Sequence, residues 1–262
     1  MTRAVARAVA MMLLLFLGLI LLIAFFPWWS SVRQLRVKRI WSRWVMRAVG
    51  VRWASDSAPP ELPAGPTMVV MNHVSWLDII ILNAVIPSTF VAKSEIRNWP
   101  LIGLLAARTG TVFIERGSRH AVRHVNHEIV KRLANGEVIT FFPEGTTSDG
   151  RHVLPFHASL FAMAVADREH HRAGAAVVPV ALSYFHHGRP TTRVAYVGEQ
   201  TLMQSMMSVL ATPGLQVVLD ILPTIPADDG ASATRHGLAA LAHARIAAAV
   251  AVRQSNGQRP VH

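Results

Sequence analysis

No cysteine occurs among the 262 residues. Disulfides, thiolate metal sites and a thiol nucleophile are therefore excluded, while the compartment stays open. Acidic residues are scarce as well: 15 Asp and Glu stand against 26 Lys and Arg, a formal net charge of +11. An excess of that size points to an anionic partner, and nucleic acid, anionic lipid and an acidic carrier protein are the three classes to weigh. No nucleic-acid-binding motif is present. No Gly-x-Ser-x-Gly segment occurs, so the elbow of a serine hydrolase is missing. His127-Glu128 is not followed by a histidine at metalloprotease spacing, and the pairs His170-His171 and His186-His187 carry no matching carboxylates. Neither a metal site nor a cofactor is expected. No internal repeat is visible, and the length suits one large domain or two small ones.

What the chain has in plenty is apolar surface, 52% of its residues. Ala8 to Phe26 carries no charge and is dense in Leu, Ile, Phe and Met. As a helix it would reach about 28 Å, one bilayer core. Pro27-Trp28-Trp29 follows, where an interfacial aromatic belt belongs and a cleavage site does not. An uncleaved membrane segment is expected, either spanning or entering partway as half of a hairpin. Arg33, Arg36, Lys38, Arg39, Arg43, Arg47 and Arg52 come after it, and only Arg3 and Arg7 before. The positive-inside rule then places the rest of the chain on the cytoplasmic side of the inner membrane. From Val32 to Trp53 those cations alternate with Leu35, Ile40, Trp41, Trp44, Val45 and Val49 at roughly helical spacing, which suits a basic helix on an anionic bilayer.

Ser55 to Pro66 is rich in proline and small residues and reads as a linker. Strands are expected at 67–71, 89–92, 111–115, 137–142, 176–184, 192–197 and 215–222. Helices are expected at 74–85, 100–108, 119–134 and 155–168, with a last one from about Ala231 to Arg253 and a polar tail over 254–262. The alternation predicts an α/β domain with a mixed, largely parallel sheet flanked by helices. The chain divides into an anchor with its basic helix (1–54), a linker (55–66) and the main domain (67–253).

Four segments carry chemistry. Asn72-His73-Val74-Ser75-Trp76-Leu77-Asp78 follows an apolar strand. Its His73 and Asp78 can meet only if His73 stands before a helix and Asp78 lies in its first turns, since five helical steps separate side chains by about 140°. An imidazole held by a carboxylate is suited to accept a proton near neutral pH. Ser75 is read as a helix N-terminal residue rather than a nucleophile. Gly110-Thr111-Val112-Phe113-Ile114-Glu115-Arg116 is a turn and strand ending in a charged pair, and Arg116 could grip a phosphate with two parallel bonds. Phe142-Pro143-Glu144-Gly145-Thr146-Thr147-Ser148 is a tight turn whose amides and hydroxyls suit an anionic group. Val178-Pro179-Val180 places a proline at a strand edge or bulge.

In this order the four segments resemble the glycerolipid (lysophospholipid) acyltransferase family, which includes the 1-acylglycerol-3-phosphate acyltransferases. Phe90 to Glu95 and Trp99 to Gly103 fit the same resemblance. It implies that His73 is the general base and Asp78 its partner. It further implies that Gly110, Arg116, Glu144, Gly145 and Thr146 help bind substrate, with Lys93 adding positive charge. The implied reaction moves an acyl group directly from acyl-CoA or acyl-carrier protein to the sn-2 hydroxyl of 1-acylglycerol 3-phosphate, giving phosphatidate in phospholipid biosynthesis. A lysolipid acceptor, a thioester donor and the membrane are the implied partners. The family's commonest pattern has arginine where this chain has Thr147. That departure opens a second acceptor, lyso-ornithine lipid or another lysolipid, and an ester or thioester hydrolase is a further alternative.

Overall fold

The computed structural model describes residues 2–54, 61–99, 101–114, 119–165, 174–226 and 234–257. Its strands are β1 (Arg52–Trp53), β2 (Thr67–Met71), β3 (Thr89–Lys93), β4 (Val112–Ile114), β5 (Val138–Phe141), β6 (Ala176–His186), β7 (Arg189–Pro190) and β8 (Leu215–Ile221). They form one sheet in the order β1-β8-β6-β2-β5-β3-β4, with β7 paired to β6. β6, β2, β5, β3 and β4 run parallel, while β8 is antiparallel to β6. The sheet is therefore mixed and largely parallel, as the alternating pattern predicts.

Side chains leave each strand with a period of two, so both faces need cover. Along β2, Val69 and Met71 point into one core and Met68 and Val70 into the other. The first core is closed by α1 (Thr2–Ile20), α2 (Ser31–Val49), α3 (Leu77–Asn83) and α6 (Leu202–Ala211). The second is closed by α5 (Arg119–Ala134), α7 (Arg235–Asn256) and a single turn over Ala158–Phe161. In α5, Ile129 and Leu133 are buried and Gly136 follows in the left-handed conformation, as the pattern anticipates. α4 (Ile102–Arg108) links β3 to β4.

The N-terminal apolar helix does not stand apart. α1 continues through Leu21–Phe25 and Phe26–Trp28, and the chain then doubles back into α2. The two helices pack along their length. Trp41 donates its indole N–H to Leu14 O at 2.9 Å, and a side chain at Gly18 would collide with that indole. Lys38 of α2 donates to Ser88 O (3.3 Å) and Thr109 O (2.8 Å), and Arg43 to Ala84 O (3.1 Å), so the hairpin is bonded to the main domain.

Three expectations need correction. Residues 192–197 form no strand: Thr191 donates to Tyr184 O and Tyr196 to Val74 O, so the segment is a loop held by distant carbonyls rather than a sheet ladder. The expected helix at 155–168 is one short helical turn over Ala158–Phe161 followed by turns, because the chain reverses and Ala175 donates to Ala164 O; residues 166–168 lie outside the described residues. Helix α6 was not expected. Pro179 lies in β6, between β2 and β8, opposite an irregular stretch. The partner segment spends one residue more than β6 between the pairs Val180↔Ile221 and Val177↔Ile225. The missing N–H of Pro179 faces this gap, which is why the sheet interior tolerates it.

Candidate active site

β2 and β5 are neighbours in register, Val70 opposite Phe141. The segments that leave them therefore meet at one edge of the sheet. His73 comes from the first and Glu144 from the second.

Between β2 and α3 the chain turns sharply, and the turn is organised around one carboxylate. Asp78 is fully buried. Its Oδ2 accepts from His73 Nδ1 (2.7 Å), Val74 N (2.6 Å) and Ser75 N (2.9 Å). Its Oδ1 accepts from the Tyr184 hydroxyl at 2.6 Å. The bond to Ser75 N ties the carboxylate in the first turn of α3 back to the backbone just before the helix, where amides lack intrahelical partners. One side chain thus closes the turn before α3 and fixes the imidazole. With Nδ1–H given to the carboxylate, Nε2 of His73 holds the lone pair that can accept a proton. Among the described residues Nε2 has no hydrogen-bond partner, and the side chain is 18% exposed.

The backbone of His73 is held as firmly as its ring. Its N–H donates to Glu144 Oε1 at 2.6 Å, and its carbonyl accepts from Ser148 N at 2.7 Å and Ser148 Oγ at 3.2 Å. Glu144 Oε2 accepts from Leu154 N at 3.0 Å. Burial pushes the Glu144 carboxyl up from 4.5 to about 7, against the opposing pull of the Leu154 and His73 amides. The imidazole lies flat on Phe142, ring centres 3.8 Å apart, and Phe142 in turn stacks on Phe90. Val74 packs against Gly150, which has no side chain to displace it. Asn72 exchanges two hydrogen bonds with the Leu182 backbone, fixing the start of the turn to β6.

A buried carboxylate, an oriented imidazole with one accessible nitrogen and a clamped backbone are an arrangement suited to general-base chemistry. A family model described as Acyltransferase matches residues 54–183, which contain His73, Asp78, Glu144, Ser148 and Leu154 and stop one residue short of Tyr184. The lyso-ornithine lipid O-acyltransferase of Pseudomonas aeruginosa is 36% identical over 197 residues, 75% of this chain and 73% of that protein. The chain belongs to the acyltransferase family. The 1-acyl-sn-glycerol-3-phosphate acyltransferase of Neisseria meningitidis is 41% identical over 64% of this chain and 64% of its own length. The crystal structure of the 1-acyl-sn-glycerophosphate acyltransferase PlsC from Thermotoga maritima has the same fold, with a TM-score of 0.67, 19% identity and coverage of 99% of this chain and 100% of that one.

Not every residue proposed from the sequence gathers at this centre of the acyltransferase. His73, Asp78 and Glu144 do. Gly145 turns the chain beside them at φ 69, donating to Phe142 O, and Thr146 next to it is exposed. Lys93 ends β3 at the same sheet edge, in register with Ile114. Gly110 lies at the opposite end of β4, before the strand, where its carbonyl accepts from Arg132 at 2.7 Å. Arg116 is outside the described residues. Thr147 does not face the site as a free hydroxyl: it donates to Tyr196 O, and Tyr196 N donates to Val74 O at 2.9 Å. His186 and His187 lie ring to ring at the far end of β6.

The sequence reading missed Tyr184, Phe142, Ser148 and Leu154 as supports of the site. A signal existed for Tyr184. It is one of only two tyrosines in the chain and stands in a strand otherwise made of apolar residues, Ser183 and the terminal His186.

Proposed function

We propose that this acyltransferase moves an acyl group from an acyl thioester to a free hydroxyl of a lysolipid, with His73 as general base. The carrying observation is the Tyr184–Asp78–His73 chain of hydrogen bonds, which leaves Nε2 to accept a proton at this end of the sheet. Nε2 takes the hydroxyl proton as the oxygen attacks the thioester carbonyl. The tetrahedral adduct collapses, the carbon–sulfur bond breaks, and the imidazolium returns the proton to the departing thiolate. The products are an ester and a thiol. The Asp78 carboxylate stabilises the imidazolium that forms between the two steps.

The acceptor we propose first is 1-acylglycerol 3-phosphate, giving phosphatidate; Lys93 at the same edge and Arg116 further on supply charge for its phosphate. Acyl-CoA and acyl-carrier protein both serve the chemistry as donors. A second acceptor, lyso-ornithine lipid, is favoured by Thr147. Its hydroxyl is spent on Tyr196 O and offers a phosphate neither charge nor a free donor.

Such a substrate lives in a bilayer, and the hairpin fits one. Val5, Val9, Met12, Phe16, Ile20 and Ile23 form an exposed stripe at helical spacing along α1, with Met12 67% and Phe16 63% exposed. Trp28 at the hairpin turn is 86% exposed. The residues from Arg3 to Trp28 are long and apolar enough to cross a membrane by length and composition. Yet α1 packs along α2, whose arginines cannot enter hydrocarbon cheaply. The hairpin therefore seats in one leaflet with its cations at the headgroups, the main domain on the cytoplasmic side.

The test is acyl transfer by the purified chain in detergent, with labelled acyl-CoA and acyl-carrier protein, against a panel of lysolipids. Phosphatidate formed by the wild type and reduced by at least about 100-fold in His73→Ala is the expected result. Near-wild-type transfer by that variant would overturn the mechanism. Transfer to lyso-ornithine lipid alone would select the second acceptor.

A further inference from the structure

Away from the catalytic centre, three arginines line one cavity of about 320 Å³. Arg7 comes from α1, Arg47 from the last turn of α2 and Arg52 from β1, with Gly50 and Gly214 between them. Arg7 is half engaged: its Nη1 donates to Leu210 O (3.1 Å) and Thr212 O (3.3 Å), the open carbonyls at the end of α6. Arg47 and Arg52 are exposed, and neither has a side-chain hydrogen bond or an ion pair among the described residues. Capping a helix end accounts for Arg7. It does not account for two more arginines gathered around the same space with no carboxylate lining it among the described residues, an arrangement that like-charge repulsion opposes.

The cavity depends on two glycines. Gly50 and Gly214 both have positive φ, 79 and 73. A Cβ at Gly50 would fall 2.2 Å from Arg7 Nη2, so only glycine lets that guanidinium lie there. Position matters too. β8 begins at Leu215, paired with His186 far along β6, and β6 is the neighbour of β2. The cavity thus lies beyond the same end of the sheet as His73, two strand spacings or about 10 Å across it and about 13 Å further along β6 than Leu182, to which Asn72 is bonded.

We propose that this cavity binds a phosphate group. Planar guanidinium forks match phosphate oxygens with parallel bonds, and three of them converging on a small space select a multiply charged oxyanion. Two sources carry that chemistry: the phosphates of the acyl-thioester donor, whose acyl end would then extend along the sheet edge to His73, and a phospholipid headgroup beside the anchoring hairpin. The first source rests on the acyl-transfer reading above; phosphate binding itself does not.

The experiment uses the full chain in detergent micelles or added to vesicles. Binding of coenzyme A without an acyl group is measured by calorimetry. Flotation is measured with phosphatidylcholine vesicles with and without phosphatidylglycerol. The variants are Arg47→Gln/Arg52→Gln, the charge-keeping Arg47→Lys/Arg52→Lys, and Arg33→Gln/Arg36→Gln, which removes equal charge elsewhere on the hairpin. The glutamine pair in the cavity is expected to weaken one of the two interactions by about 10-fold or more, and the lysine pair to weaken it several-fold, because lysine lacks the fork. A loss confined to coenzyme A assigns the donor's phosphates; a loss confined to phosphatidylglycerol vesicles assigns a lipid headgroup. The proposal is overturned if neither interaction changes, or if Arg33→Gln/Arg36→Gln weakens it by the same factor, since a diffuse field would then suffice. Wild-type turnover, measured separately, reports on the acyl-transfer reading alone.

Discussion

Tyr184 donates its hydroxyl to Asp78 Oδ1 at 2.6 Å, across 106 residues of sequence. β6 thereby orients the carboxylate that orients the His73 imidazole. Burial, together with the Asp78 carboxylate, holds the phenol well above its ordinary value, so it remains a donor at every working pH. Tyr184→Phe removes one bond to a buried charge, worth about 1.5–3 kcal/mol. If that bond serves the charged pair in the transition state, kcat falls by about 10-fold or more. Steady-state kinetics beside thermal denaturation decide the matter: a lowered melting temperature with unchanged kcat would show that Tyr184 serves the fold alone.

Glu144 clamps the loop from below, and its carboxyl titrates near 7. The unfolded chain releases that proton near 4.5, so between about 4.5 and 7 the native state binds more protons than the unfolded state. Stability then declines as pH rises through this window, by up to about 3 kcal/mol. Glu144→Gln cannot titrate and should flatten that slope. Its amide oxygen still accepts the His73 N–H, but its NH2 cannot accept from Leu154, so transfer falls by about 10-fold. Urea denaturation at pH 5 and pH 7.5 measures the slope, and equal slopes in wild type and variant would remove Glu144 as its origin.

Gly150 offers a contact that can be separated from backbone strain. It has φ 78, and a Cβ there would lie 3.1 Å from Val74 Cγ2. Gly136 has φ 79 and would meet nothing within 4 Å. Alanine at either position carries a similar left-handed penalty of about 1 kcal/mol. Gly150→Ala also pushes Val74, whose amide holds Asp78 and whose neighbour is His73. Both variants should lose similar stability, and only Gly150→Ala should lose kcat, by about 10-fold. Equal kcat in the two would mean that the turn tolerates displacement.

The His73–Asp78 pair was legible because its demands are local: an apolar strand, a turn, and a carboxylate in the following helix. β2, β3, β5 and β8 were legible as apolar runs, since strands buried on both faces have little alternation to misread. Helix α6 was overlooked although Thr201 and Gln204 form a reciprocal capping box at its start, a pattern readable from the sequence. The 192–197 segment misled because Val194 and Ala195 pack on the first core from a loop. Tyr184 and Thr147 illustrate what sequence does not carry. Each acts on an atom far along the chain, and nothing in its own neighbourhood encodes that partner. The Thr147 hydroxyl, available to a ligand on sequence grounds, is consumed by the carbonyl of Tyr196.

Lys38 joins the hairpin to the main domain through two carbonyls, Ser88 O and Thr109 O. Burial chiefly lowers its ammonium from 10.5 to about 8; Glu137 opposes the shift and Arg132 adds to it. Between about 8 and 10.5 the unfolded chain binds the proton that the native chain has released. Stability contributed by this group therefore rises with pH across that window and is lost as pH falls through 8, by about 1–3 kcal/mol. The chain has only two other lysines, Lys93 and Lys131, and Tyr184, whose ordinary value is 10.0 and which folding raises, acts in the opposite direction at the top of the window. Lys38→Met abolishes the rise and leaves both carbonyls without their donor, which lowers stability at every pH. The melting temperature in detergent at pH 8 and pH 9.5 is the measurement. A wild-type rise that vanishes in Lys38→Met ties it to this lysine, and the same rise in both proteins would assign it elsewhere.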